Sequence, residues 1–276
     1  MKLSNQPQID LWNGRVGAKW AAMQVSLDAM MAPATGELTA RAGSVAGLQV
    51  LDIGCGNGET CAVWLDGGAA VTGVDVSEAM LAVAAARTGG RARLIQADAS
   101  DWRGDLPFDL AVSQFGVMFF ADPDLAFRAI AANLRPGGRL LFTCWRAVSE
   151  NQWVALPMAT VRDLLPESPP AAPHAPGPFA LADKDRLTMI LQSAGFNHVS
   201  IEAHDFPVCV AREGGVDAAV RFLMQIGPTG AALAEVDETG RRQAQERLRS
   251  ALTVHDDQGY VVLGGAMWIV DATVRL

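Results

Sequence analysis

The chain has 276 residues, half of them hydrophobic, enough for one large α/β domain with additions. Its formal charge of -8 argues against nucleic acid or an anionic membrane surface as the main partner, since either calls for a concentrated basic face. No apolar run reaches the ~20 residues needed to span a bilayer, and Met1 to Pro7 lacks the apolar core of a signal peptide, so integral membrane association is excluded and the expected location is cytoplasmic.

Trp20, Met23, Leu27 and Met30 recur at three- and four-residue steps, which predicts an amphipathic helix over 15–31 that ends before Pro33. A short helix is expected over 36–42. From Gln49 short apolar runs alternate with helical segments, the pattern of a mostly parallel, doubly covered sheet. Strands are expected at 49–53, 70–75, 92–97, 108–113 and 139–145. Ser77 with Glu78 opens one intervening helix, and Asp122 before Pro123 caps another. That helix should stop at the turn Arg135-Pro136-Gly137-Gly138.

The proline-rich stretch 166–178 predicts loop or extended chain. A helix at 182–194 and a strand at 198–208 should follow, then helices at 215–226 and 231–252 separated by the breaker Gly227-Pro228-Thr229-Gly230. Met267-Trp268-Ile269-Val270 reads as a final strand. Cys55, Cys61, Cys144 and Cys209 lack the spacing of a zinc site or disulfide framework, so four free thiols and no metal are expected.

The most informative stretch is Val50-Leu51-Asp52-Ile53-Gly54-Cys55-Gly56-Asn57-Gly58, an apolar strand running into three glycines at alternate positions. Glycine is needed where backbone must approach a ligand or take positive φ. A dinucleotide fingerprint would put its third glycine at 59, where Glu59 stands. Asp52 would repel a phosphate but can bond an ammonium group, directly or through water. Asp75 ends the second strand, placed to accept from both hydroxyls of a ribose or, alternatively, to cap the helix at Ser77. Asp98 ends the third strand, placed to receive an adenine amino group or to serve as a turn residue.

In these residues and their order the chain resembles the class I S-adenosylmethionine-dependent methyltransferases, specifically the family that includes the ubiquinone and menaquinone biosynthesis methyltransferases. The resemblance runs from Val50 to Trp145. It rests on the glycine loop, Gly73-Val74-Asp75, Asp98-Ala99, Phe108-Asp109-Leu110 leading to Gln114-Phe115-Gly116, and Leu134-Arg135-Pro136-Gly137-Gly138. It implies a Rossmann-like α/β fold, doubly wound around a seven-stranded, mostly parallel sheet with only the last strand antiparallel. It also implies S-adenosyl-L-methionine as cofactor, leaving S-adenosyl-L-homocysteine, with contacts from Asp52, Gly54, Cys55, Gly56, Asp75, Val76, Asp98, Ala99 and Gln114 and with Met80 beside the adenine. Leu11-Trp12-Asn13 and Lys19-Trp20 resemble a subset in which an early helix folds over the methionine end; the alternative is that Trp12 and Trp20 only pack that helix on the sheet.

Methyl transfer needs in-line approach in a dry pocket, and a base is optional. His174 and Tyr260 are the candidate bases, each with the alternative of a solvated polar side chain. Met23, Phe119, Trp145, Phe222 and Met224 are candidate substrate-pocket residues, their adaptable apolar side chains suiting a small, partly apolar acceptor. The expected organisation is a helical cap over 1–46, a cofactor-binding core over 47–208 and 262–276, and a helical lid over 209–261, in a monomer or homodimer. An NAD(P)-dependent oxidoreductase and a non-catalytic S-adenosylmethionine-binding scaffold are the competing readings.

Overall fold

The five strands expected between 49 and 145 all form in one sheet in the computed structural model, which describes residues 4–167 and 172–275. The chain opens with three helices, α1 (Gln6–Asn13), α2 (Arg15–Ala22) and α3 (Gln24–Ala42). Then follow β1 (Gln49–Ile53), α4 (Glu59–Asp66), β2 (Ala70–Asp75), α5 (Glu78–Thr88), β3 (Arg93–Gln96), β4 (Phe108–Gln114), α6 (Pro123–Asn133) and β5 (Leu134–Trp145). The remainder comprises α7 (Gln152–Val161), α8 (Lys184–Ser193), β6 (Phe196–Ala211), α9 (Gly215–Leu223), α10 (Gly227–Ala232), α11 (Glu238–Leu252), β7 (Asp256–Asp257) and β8 (Tyr260–Val274).

The strand order is β3-β2-β1-β4-β5-β8-β6, with β7 paired to β8 at the margin. β1 to β5 pair in parallel, and β8 runs antiparallel to both β5 and β6. The implied single antiparallel strand is therefore present, and the two-residue β7 brings the sheet to eight strands instead of seven. β6 and β8 extend well past the expected 198–208 and 267–270, because thirteen residues of each pair in one long antiparallel ladder. Arg135-Pro136-Gly137-Gly138 leaves the ladder between Leu134 and Arg139, with Gly137 at φ +71°, so the expected turn sits as a bulge near the start of β5.

The helix expected to stop before Pro33 does not. A break at Met23 separates α2 from α3, and α3 then runs through Pro33 to Ala42. An interior proline costs ~3 kcal/mol. Against that, α3 buries Leu27, Met30, Met31, Ala34, Thr35 and Leu38, and each large apolar side chain contributes ~1.5–3 kcal/mol. Burial wins, and the short helix expected at 36–42 is the continuation of α3. Its end is fixed by Arg139, which donates to the Arg41 and Ala42 carbonyls while pairing with Asp271.

The breaker Gly227-Pro228-Thr229-Gly230 opens α10 instead of separating two helices, since proline suits the first helical turn. Residues 168–171 of the expected proline-rich loop lie outside the described residues. Asp122 caps α6 by accepting from the Leu125 amide at 3.0 Å, as expected. Glu78 does begin α5, but Ser77 makes no side-chain cap there; Asn13 of α1 accepts from the Glu78 amide at 3.2 Å instead.

Candidate functional site

At the carboxyl ends of β1, β2 and β4 the chain leaves each strand in a tight turn, and these turns share one cavity. Gly54, Gly56 and Gly58 all adopt positive φ, at +64°, +51° and +76°. A Cβ on Gly54 would lie 2.9 Å from Gly116 Cα, and one on Gly58 would lie 2.7 Å from Ala84 Cβ, so side chains are excluded by space as well as by torsion.

Four of the loop's amides point into the protein. Gly54 and Cys55 donate to the Val74 carbonyl at 2.8 and 3.2 Å, Gly58 to the Cys55 carbonyl at 2.9 Å, and Gly56 to Asp75 Oδ2 at 2.8 Å. A pyrophosphate bound in the dinucleotide manner needs such amides free. Among the described residues, moreover, no Lys, Arg or His lines the cavity.

Asp75 ties two turns together, accepting from Gly56 through Oδ2 and from Ser77 N through Oδ1, both at 2.8 Å. Each oxygen keeps lone-pair capacity for a ligand. Burial raises its carboxyl above the usual range, against the pull of these amides. Asp98 accepts from the Ser100 amide at 2.9 Å and lines the same cavity. Asp52 is fully buried beneath the loop. Thr60 and Cys61 donate to its Oδ2 at 2.5 and 3.3 Å, and Oδ1 has no partner. Its burial pushes the carboxyl up to about 6.

The N-terminal helices close the cavity from outside. Asn57 donates to the Trp20 carbonyl at 3.0 Å, and Asn13 donates to the Val76 carbonyl at 2.9 Å. Gly17 lets α2 sit against α1 and the start of α5, for a Cβ there would lie 1.9 Å from the Trp12 carbonyl and 2.5 Å from Ser77 Oγ. Trp12 meets Trp20 and Phe119 edge-to-face, with centroids at 5.5 and 5.0 Å.

The cavity thus gathers Gly54, Cys55, Gly56, Asp75, Val76, Met80, Asp98, Ala99 and Gln114 with Trp12, Trp20 and Phe119. The other sequence candidates stand apart from its lining. Asp52 lies one layer below. Trp145 is stacked between Phe115 and Phe206 in the core, Phe222 is buried in the core, and Met23 and Met224 pack against that core half-buried. His174 is exposed, and Tyr260 is 53% exposed on β8.

Sequence reasoning missed a polar cluster on the β4 side. Glu59, the first residue of α4, reaches Thr35 of α3, with Thr35 Oγ1 3.1 Å from Glu59 Oε1 and 3.1 Å from Gln114 Oε1. Burial, reinforced by the nearby Asp28 charge, pushes the Glu59 carboxyl up to about 7. Asp28 itself pairs with Arg87. Glu59 was legible as the residue occupying the dinucleotide glycine position, but ending the helix at Pro33 hid Thr35.

Residues 50–138 match the family model described as a methyltransferase domain. A malonyl-[acyl-carrier protein] O-methyltransferase of Pseudescherichia vulneris is 36% identical over 107 residues, 38% of this chain and 42% of that protein. A ubiquinone biosynthesis O-methyltransferase of Pseudomonas syringae pv. tomato is 34% identical over 105 residues, 36% of this chain and 45% of that protein. The chain thus spans less than half the length of these curated relatives. Among solved structures, the Haemonchus contortus phosphoethanolamine N-methyltransferase 2 in complex with S-adenosyl-L-methionine aligns with 99% of this chain and 60% of its own, at a TM-score of 0.58 and 19% identity. That likeness shows the fold.

Proposed function

We propose, from the match of residues 50–138 to the methyltransferase-domain model, that the chain is an S-adenosylmethionine-dependent methyltransferase acting on a small, partly apolar acceptor. The observation that carries the reading is the glycine loop and the carboxylates Asp75 and Asp98 facing one cavity, with the amides of Gly54, Cys55, Gly56 and Gly58 already bonded within the protein. The residues suit a zwitterionic, cationic ligand: Asp52 Oδ1 is buried without a partner beside the loop, and the cavity lining offers carboxylates and no cations among the described residues. When bound, the cofactor supplies an activated methyl group on a cationic sulfur. Asp75 accepts from the ribose hydroxyls, Asp98 from the adenine amino group, and Asp52 holds the ammonium end through the loop. Trp12, Trp20 and Phe119 exclude water from the reacting centre, and holding the two reactants in line can lower the barrier by ~7–11 kcal/mol.

The cap over 1–46, the core over 47–208 and 262–276, and the acceptor lid over 209–261 belong to the same proposal. Support for an apolar acceptor comes from Leu27, Met31, Phe115 and Phe120, which share the cavity with the polar groups. The test is calorimetry with S-adenosylhomocysteine and with NAD, followed by transfer from radiolabelled S-adenosylmethionine to an acceptor panel. Binding of the first and not of the second is expected. Binding of NAD alone would replace this reading with that of an oxidoreductase.

A further inference from the structure

We infer that Glu59 is the acid–base residue of the acceptor site, and that the acceptor presents to it a neutral or protonated X–H group, not an anion. The inference rests on the methyltransferase reading and adds to it the acceptor's charge class.

Along the sheet edge the order is Asp98 after β3, Asp75 at the end of β2, the glycine loop after β1, and Gln114 at the end of β4. With the nucleoside at Asp75 and Asp98, the transferable methyl lies toward β4, where Glu59, Thr35 and Gln114 meet from three separate elements.

Three oxygens surround Thr35 Oγ1: Met31 O at 3.3 Å, Glu59 Oε1 at 3.1 Å and Gln114 Oε1 at 3.1 Å. The Gln114 amide nitrogen is turned to the Met31 carbonyl at 3.3 Å, which fixes its oxygen toward Thr35. One hydroxyl proton cannot serve three acceptors. A proton on Glu59, donated to Thr35 Oγ1 while Thr35 donates to Gln114, gives every member of the chain a partner. The cluster is therefore built to hold a proton and, when Glu59 is ionised, to receive one. The charged groups facing Glu59 are Asp28 from α3 and Arg87 from α5, which neutralise each other as an ion pair. Asp52 lies beneath the loop, and Asp75 faces the cavity from the end of β2. Arg87 pairs with Asp28 and not with Glu59, and Glu59, bonded to Thr35 through Oε1, lines the cavity where an incoming group would meet it.

The step balances. As the acceptor's X–H bond breaks, its proton passes to a Glu59 oxygen, the X lone pair forms the bond to the methyl carbon, and the carbon–sulfur pair stays on sulfur as a neutral thioether. A carboxylate or phosphate acceptor would bring no proton to transfer. It would also meet Glu59 and Asp75 with no Lys, Arg or His in the lining of the described cavity.

The test uses the full chain and three acceptors on one aromatic skeleton, a phenol, a benzylamine and a benzoate, with radiolabelled S-adenosylmethionine from pH 5.5 to 8.5. Phenol or amine should be methylated and benzoate not, with the wild-type rate rising through about pH 7. Glu59→Gln should lower kcat by ~10²–10⁴-fold and flatten the profile while leaving S-adenosylhomocysteine affinity near wild type. Where that variant does not fold, Glu59→Asp, which keeps the charge, should give a reduced rate that still rises with pH. Preference for benzoate, an unchanged profile in Glu59→Gln, a wild-type rate in Glu59→Asp, or no transfer to any of the three by a protein that binds S-adenosylhomocysteine would each overturn the inference. Failure of the wild type to bind S-adenosylhomocysteine would instead overturn the methyltransferase reading, and this inference with it.

Discussion

Replacing Glu59 by glutamine should change how the stability of the ligand-free protein depends on pH. The Glu59 carboxyl lies at about 7 in the fold, against an ordinary value of 4.5, and loss of hydration is the main cause. Between those values the folded chain holds a proton that the unfolded chain has released, so stability falls as pH rises from about 4.5 to about 7. At ~1.4 kcal/mol per pH unit the interval corresponds to ~3 kcal/mol; Glu59 keeps some contact with water at the cavity wall, which reduces the effect to ~1–2 kcal/mol. Asp52, raised to about 6, acts in the same direction in both proteins. Glutamine keeps the shape and the contact with Thr35 but carries no proton to lose. Urea unfolding at pH 5 and pH 8 should show wild type losing ~1–2 kcal/mol more between the two conditions than Glu59→Gln. Parallel losses would refute the placement of a desolvated, proton-holding carboxyl at this wall.

The cap can be probed through Gly17→Ala, whose methyl would lie 1.9 Å from the Trp12 carbonyl; overpacking should cost ~1–3 kcal/mol and weaken S-adenosylhomocysteine binding, read by thermal melting and calorimetry. Asn13→Ala removes the bonds to the Val76 carbonyl and the Glu78 amide and should cost ~1 kcal/mol of stability in urea unfolding, as for a lost helix cap. Phe222→Ala empties a buried core position that the cavity does not reach; it should cost ~3–5 kcal/mol, with S-adenosylhomocysteine affinity unchanged in whatever fraction folds.

What the sequence made legible was local. The strand Gln49–Ile53, its glycines and the acids at the end of the second strand and just after the third are set by short-range torsion and turn chemistry, and they converge on the cavity. The Asp122-Pro123 start of α6 is local in the same sense. The misjudged features depend on distant partners. Pro33 reads as a stop until the burial of Met30, Met31 and Leu38 is weighed against it. The length of β6 and β8 is set by their mutual pairing across fifty or more residues of chain. Trp145, a pocket candidate by type, is held between Phe115 and Phe206, and no periodicity announces that stack. Thr35 and Glu59, 24 residues apart, become one cluster only when α3 folds across the glycine loop.

The central claim is that Asp75 and the glycine loop form a site for an S-adenosyl ligand, and calorimetry on wild type and Asp75→Ala tests it most directly. Wild type should bind S-adenosylhomocysteine and not NAD, and the variant, losing charge-assisted hydrogen bonds worth ~1.5–3 kcal/mol each, should bind the former at least ~10-fold more weakly. Equal affinity in two folded proteins, or binding of NAD in place of S-adenosylhomocysteine, would contradict the account.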